Sequence, residues 1–342
     1  MRHPRFRDID PQVMAGVPGI ILALDAADPS SMTVEGIPAF RARVAAWLAS
    51  EPPPAEVPDV AVTIETLTLA DGYPLRLAVY RPTRLTGPLP GLFHIHSGGM
   101  ISGSIDTERA AMASLAAATQ SVVVSVDYRL APEHPHPIPV EDCYAGLAWT
   151  AEHAGDLGID GARMVIGGES AGGGLAAGTA LLARDRHGPA LRFQYLVYPM
   201  LDDRNDSSSA LEFGADWPVW PRELNAVGWR ALLGDEVGGP DVSPYAAPAR
   251  ATNLAGLPAA YVDCGGLEVF RDESIDYARR LASAGIVVEL HIWPGVFHGW
   301  EGAAPEAAVT RQATAARLDA LRRGLHGHQP TPGAPGRGAA DG

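Results

Sequence analysis

The chain predicts an α/β protein with a mostly parallel central sheet flanked by helices. Short β-branched runs alternate with helical stretches from about residue 60 to 325, the rhythm of βαβ units. A glycine-rich strand, turn and helix occupies its middle, and histidine and acidic residues fall just past later strands, where parallel sheets carry their sites. Val60–Leu69 and Leu75–Tyr80 alternate apolar with polar around Asp71-Gly72, which predicts an opening hairpin. Next come strand Leu92–Ile95, an alanine-rich helix Thr107–Thr119, buried strand Val122–Val126 and helix Val140–Thr150. Strand Met164–Ile166, helix Ala171–Asp185 and strand Phe193–Tyr198 continue the pattern. Residues 202–241 interrupt it with polar turns, Trp217, Trp220 and Trp229, and a helix at Arg222–Leu233, which suits a lid or a structural excursion. Strand Ala259–Val262, helix Ser274–Ala284, strand Val287–Ile292 and helix Ala307–Leu325 complete the core. Before it, a helix near Ile37–Ala49 is stopped by Glu51-Pro52-Pro53-Pro54; after His326, proline and glycine predict a disordered tail.

The length of 342 residues fits two domains or one large α/β domain with insertions. With 26 Arg+Lys against 40 Asp+Glu and a formal charge of -14, no basic footprint for nucleic acid or anionic membrane is present. Lysine is absent altogether, which excludes a Walker A loop, a Schiff-base lysine and a serine–lysine dyad. Cys143 and Cys264 make neither a disulfide framework nor a zinc-type cluster, and read as buried thiols. The N-terminus lacks the apolar core of a signal peptide and no run is long enough to span a membrane, so a soluble cytoplasmic protein is expected.

Gly168-Glu169-Ser170-Ala171-Gly172 fits the G-x-S-x-G elbow, in which flanking glycines permit a tight strand-to-helix turn and Ser170 stands at a helix N-terminus. Alone, the match suits an ordinary serine in a glycine-rich turn equally well. A serine nucleophile needs a base and the base needs an orienting acid. His298, in the turn Pro294–Trp300 beyond the last strand, is the candidate base; His187, His326 and His328 read as solvated. Glu268, past Gly265-Gly266, is the candidate acid, with Asp263 and Asp272 as rivals, the latter where a helix would begin. Gly98 and Gly99, after strand Leu92–Ile95, together with Ala171 are placed to offer backbone N–H groups to an oxyanion. Met100, Trp217 and Trp220 are candidates to line a substrate pocket, against the plainer reading of core packing.

With these residues in view, the sequence resembles the hormone-sensitive-lipase family of α/β-hydrolase carboxylesterases, and the group of bacterial acetylesterases within it. The matching segments are His96–Gly99, Asp127–His134, Gly168–Gly174, Ser243–Tyr245, Phe270–Glu273 and Pro294–Gly299, spread over roughly residues 60–325. Four positions depart from the pattern: Ser97 stands at the first glycine of H-G-G-G, Met100 replaces an aromatic residue, and Glu268-Val269 replaces Asp-Pro. The resemblance implies an α/β-hydrolase fold with a helical cap made from 1–58 and 202–241, a core split into 59–201 and 242–326, and a tail at 327–342. It further implies no cofactor, a small-molecule ester substrate, pairing of two copies near 287–325, and bracing of the site loops by His96 and the Asp127–Glu133 run. The expected reaction is hydrolysis of a short-chain or small carboxylic ester through a Ser170–His298–Glu268 triad. Acyl transfer, thioester or lactone cleavage and dehydration share this machinery. A non-catalytic small-molecule receptor is the rival from another class; retention of His298 argues against it.

Overall fold

The computed structural model describes residues 3–18, 32–50 and 57–327. The Glu51–Pro54 stop and all of the expected tail except Gly327 lie outside the described residues. Eight strands form one sheet: β1 (Val60–Thr68), β2 (Pro74–Pro82), β3 (Leu89–Ile95), β4 (Val122–Val126), β5 (Ile159–Glu169), β6 (Phe193–Val197), β7 (Ala259–Gly265) and β8 (Val288–Trp293). Their order is β1-β2-β4-β3-β5-β6-β7-β8. β1 pairs antiparallel with β2 and β2 antiparallel with β4, while every later pairing is parallel. All carboxyl ends from β3 to β8 therefore face one edge, and the crevice beyond that edge is where an open α/β sheet binds its ligand.

β4 shows how the chain makes two cores from one sheet. Every residue of this strand is buried, and the period of two sends Val122, Val124 and Val126 to one apolar cluster and Val123 to the other. The first cluster contains buried residues of helices Ile138–Glu152 and Ala171–Asp185; the second contains residues of Arg109–Thr119 and Ala308–His326. Helix Ala171–Asp185 is buried at every residue from Ala171 to Ala183, which its small side chains permit. A Cβ on Gly174 would lie 2.0 Å from the Met200 carbonyl oxygen and one on Gly178 2.3 Å from that of Tyr245. Glycine here is what lets neighbouring backbone close on the helix.

The 202–241 region holds helices Ser208–Glu212 and Arg222–Leu233. It is tied to the core by Glu273, which accepts the Leu201 N–H, and by Asp272, which accepts that of Ser209. The N-terminal segment reaches the same edge of the sheet. Asp10 donates its N–H to Gly295, and Arg41 of helix Ile37–Ser50 donates to the carbonyls of Ile101 and Ala131 and to Glu133. Among the described residues no helix is long and apolar enough to cross a membrane.

Candidate active site

Three strands deliver three side chains to one point. Ser170 directly follows β5, Glu268 lies three residues past β7 and His298 five past β8. The Ser170 hydroxyl is 3.0 Å from Nε2 of His298, and Nδ1 of His298 is 2.8 Å from Oε2 of Glu268. A carboxylate only accepts, so the ring proton belongs on Nδ1 and Nε2 is left free to accept from Ser170. All three side chains are buried.

The local backbone explains why these residues meet. Ser170 has φ 56° and ψ -120°, a strained conformation that caps helix Ala171–Asp185. The turn is possible because Cβ atoms on Gly168 and Gly172 would lie 2.5 and 2.0 Å from the Ile95 carbonyl oxygen. The loops after β7 and β8 are bonded to each other: Gly266 donates to the Trp293 carbonyl and Leu267 to that of Val296. Glu268 and His298 thus ride on a paired unit. The second oxygen of Glu268 accepts the Cys264 thiol; burial and that carboxylate push the thiol well above its usual range. Around His298 stand the rings of Tyr198, Phe270 and Trp220, with centroids 4.6, 5.1 and 6.5 Å away.

The rival acids are engaged elsewhere. Asp263 is fully buried and accepts from Arg317, Trp293 and Tyr261. Asp272 occupies the first turn of helix Arg271–Ser283 and accepts from Ser209 and Arg271. His291 lies in β8 beside Glu289, and His326, expected to be solvated, is half-buried with Nε2 2.7 Å from the Thr119 carbonyl.

Gly98 and Gly99 have φ 116° and 65°, conformations that favour glycine. Among the described residues the N–H groups of Gly98, Gly99 and Ala171 have no acceptor, which leaves three donors at one turn and one helix start. Trp220 packs onto this turn: a Cβ on Gly99 would lie 2.1 Å from its ring, and its indole N–H donates to Asn225. Met100 is fully buried, and its carbonyl accepts the Ala131 N–H. Trp217 sits among Phe213, Phe6 and His3 and donates its indole N–H to the Leu267 carbonyl. Its contacts are those of a brace for the Glu268 loop.

Sequence reasoning missed Tyr198, Phe270 and Cys264. Their one signal is position, since each lies within five residues of a strand end on the site edge. His96 is buried and stacked on Tyr128 at 4.2 Å, and burial pushes it down to about 4. Both residues sit in loops that frame the site.

A family model described as alpha/beta hydrolase fold matches residues 92–302. Esterase LipI of Mycobacterium tuberculosis is 41% identical over 239 residues, covering 70% of this chain and 74% of its own length. Carboxylesterase NlhH of the same organism is 34% identical over 325 residues, covering 93% and 97%. The solved structure of a bacterial heroin esterase superposes with a TM-score of 0.87 at 38% identity, covering 94% of this chain and 99% of that one.

Proposed function

We propose a serine-hydrolase mechanism for this chain, which belongs to the alpha/beta hydrolase fold family, in its hormone-sensitive-lipase branch, and is a carboxylic ester hydrolase. The observation that carries the proposal is the continuous row from Ser170 Oγ through His298 to Glu268, with separations of 3.0 and 2.8 Å. His298 takes the Ser170 proton as Oγ attacks the ester carbonyl, and the resulting imidazolium is stabilised by Glu268. The developing oxyanion is met by the N–H groups of Gly98, Gly99 and Ala171. His298 then returns its proton to the leaving alcohol, and water, deprotonated by the same imidazole, releases the acid and restores Ser170.

The substrate class is a small or short-chain carboxylic ester. Trp220 against Gly99 and the rings of Tyr198 and Phe270 against His298 support it, because they leave bulky apolar walls close to the reacting atoms. In this reading segments 1–58 and 202–241 act as a cap. Initial rates on p-nitrophenyl esters from acetyl to long acyl chains test both parts, with Ser170→Ala assayed beside the wild type. Rates that peak at short chains and fall by several orders of magnitude in the variant are expected. A variant that keeps most of the wild-type rate would overturn the mechanism, and a rate that rises steadily with chain length would overturn the substrate class.

A further inference from the structure

Beside the proposed nucleophile lies a second row of titratable groups that the reaction above does not use. His94, fully buried in β3, has Nε2 3.1 Å from Oε2 of Glu169 and Nδ1 3.7 Å from Oε2 of Glu108. Glu169 is the last residue of β5 and immediately precedes Ser170. Glu108 caps helix Arg109–Thr119, and its other oxygen accepts both the N–H and the hydroxyl of Ser97, at 3.1 and 3.0 Å. The row therefore runs from the Ser97–Gly99 turn to the Ser170–Ala171 elbow, and those are the two backbone segments whose N–H groups must meet one oxyanion.

His94 Nδ1 and Glu108 Oε2 are both buried without a hydrogen-bond partner, and they face each other. A buried polar atom without a partner keeps its desolvation penalty, so a small closure that pairs these two is favoured. Burial pulls His94 down, yet the charge and hydrogen bond of Glu169, followed by the charge of Glu108, prevail and raise it above its ordinary value. A cation held by all three groups is the competing reading, since their ligand atoms lie within 4.8 Å of one another. The donor directions oppose it: each carboxylate addresses a different ring nitrogen, and the lone pairs of an imidazole diverge. A protonated ring between two carboxylates satisfies both.

We propose that Glu108, His94 and Glu169 are positioning residues that fix the spacing between the two halves of the oxyanion site. Ser97, which stands where a glycine is expected, gives Glu108 its second donor. The inference rests on the serine-hydrolase reading, and it predicts a loss confined to the step in which the oxyanion forms. Misplacement by about 1 Å costs up to about 100-fold in rate.

The test is kcat and KM for p-nitrophenyl acetate in His94→Asn, Glu108→Ala, their double variant, Glu108→Gln and Ser170→Ala, with thermal midpoints recorded for each. Each of the first two should lower kcat by about tenfold or more and leave KM within about threefold. The double variant should be no slower than the poorer single, because a row broken at one end no longer transmits the other. Glu108→Gln, whose amide oxygen still accepts from Ser97 and whose N–H can donate to Nδ1 of a neutral ring that keeps its Nε2 proton on Glu169, should restore most of kcat. Single variants with kcat within about threefold of wild type, losses that multiply, or KM rising in step with the fall in kcat would each overturn the brace. A zinc-dependent change in wild-type rate that disappears in Glu108→Ala would replace it with a cation site. Should His94→Asn not fold, the two Glu108 variants decide alone. Retained activity in Ser170→Ala would instead strike the underlying reading, whereas an inert Ser170→Ala beside unaffected row variants would strike the brace only.

Discussion

Glu268→Gln isolates the acid with almost no change of shape. In the proposed mechanism the carboxylate, 2.8 Å from Nδ1, fixes the Nδ1–H tautomer of His298 and faces an imidazolium once Ser170 has lost its proton. Glutamine presents either an amide donor or a neutral oxygen to Nδ1. The first forces the proton to Nε2, where it blocks acceptance from Ser170; the second keeps the tautomer but removes the charge. Two unit charges about 4 Å apart at an effective dielectric of about 20 attract by about 4 kcal/mol, which corresponds to about 10³ in rate. The matching change in serine proteases costs about 10⁴.

The expected result is therefore a fall in kcat between about 10³ and 10⁴ on p-nitrophenyl acetate with KM little altered. Glu268→Asp withdraws the carboxylate by about one carbon–carbon bond, roughly 1.5 Å, and should keep an intermediate rate, since the charge survives and the contact does not. Asp272→Asn is the control and should stay near the wild-type rate, because its carboxylate serves Ser209 and Arg271. A kcat in Glu268→Gln within about threefold of wild type, with the thermal midpoint unchanged, would refute the assignment of the acid.

Three further outcomes are expected. Gly99→Ala must place a methyl 2.1 Å from the Trp220 ring at φ 65°, so kcat should fall by about 10²–10³ as an oxyanion donor is displaced; steady-state rates and tryptophan fluorescence report it. Arg317→Met leaves Asp263 buried with only Tyr261 and Trp293 as donors, and a urea titration should show a loss of about 3–5 kcal/mol, partly restored by adding Asp263→Asn. His96 is held at about 4 in the fold against 6.5 in the free side chain, chiefly by burial. Its contribution is thus fully present above 6.5 and is lost as pH falls toward 4. The wild type should lose about 2–3 kcal/mol from this group between about pH 7.5 and 4.5, and His96→Phe should lack that acid limb in urea midpoints taken at both values.

Much of this was legible in the sequence because the signals are local. Each of the eight strands contains a short apolar or alternating run, and the reading errs mainly at the ends. β5 starts at Ile159 rather than Met164 because Ile159 pairs with Leu89 across an irregularity in register, which periodicity does not encode. Ser170, His298 and the glycine turn could be read because each stands in a loop that interrupts an apolar run. What could not be read depends on contacts between distant segments. Tyr198 and Phe270 frame His298, but an aromatic residue just past a strand or just before a helix looks like core. Trp217 suggested a pocket wall, yet its indole N–H seeks the Leu267 carbonyl and its ring seeks Phe6, 211 residues away in the chain. Glu108 lies at a helix start, where a carboxylate is ordinary.

The departures from the family pattern gain meaning when paired with their neighbours. Glu268 is one methylene longer than the expected aspartate, and the chain meets the extra reach at both oxygens: His298 takes one and the Cys264 thiol the other. A carboxylate held at only one oxygen could rotate about its terminal torsion; bonds at both oxygens define its plane. Ser97 follows the same logic. A glycine there would leave Glu108 with the backbone N–H alone, whereas the serine hydroxyl adds a second donor to the same oxygen and ties the turn to helix Arg109–Thr119. In both places a substitution near the reacting atoms is matched by a polar group that the unsubstituted residue would not need. A site that tolerates about 0.5 Å of error can accept a longer acid or an added side chain only if such partners restore the geometry. Cys264→Ala should accordingly lower kcat while Glu268 and His298 remain intact, and a simultaneous Glu268→Asp should make the thiol's removal matter less. If the two losses simply multiply, the thiol is filling space and the carboxylate is oriented by His298 alone.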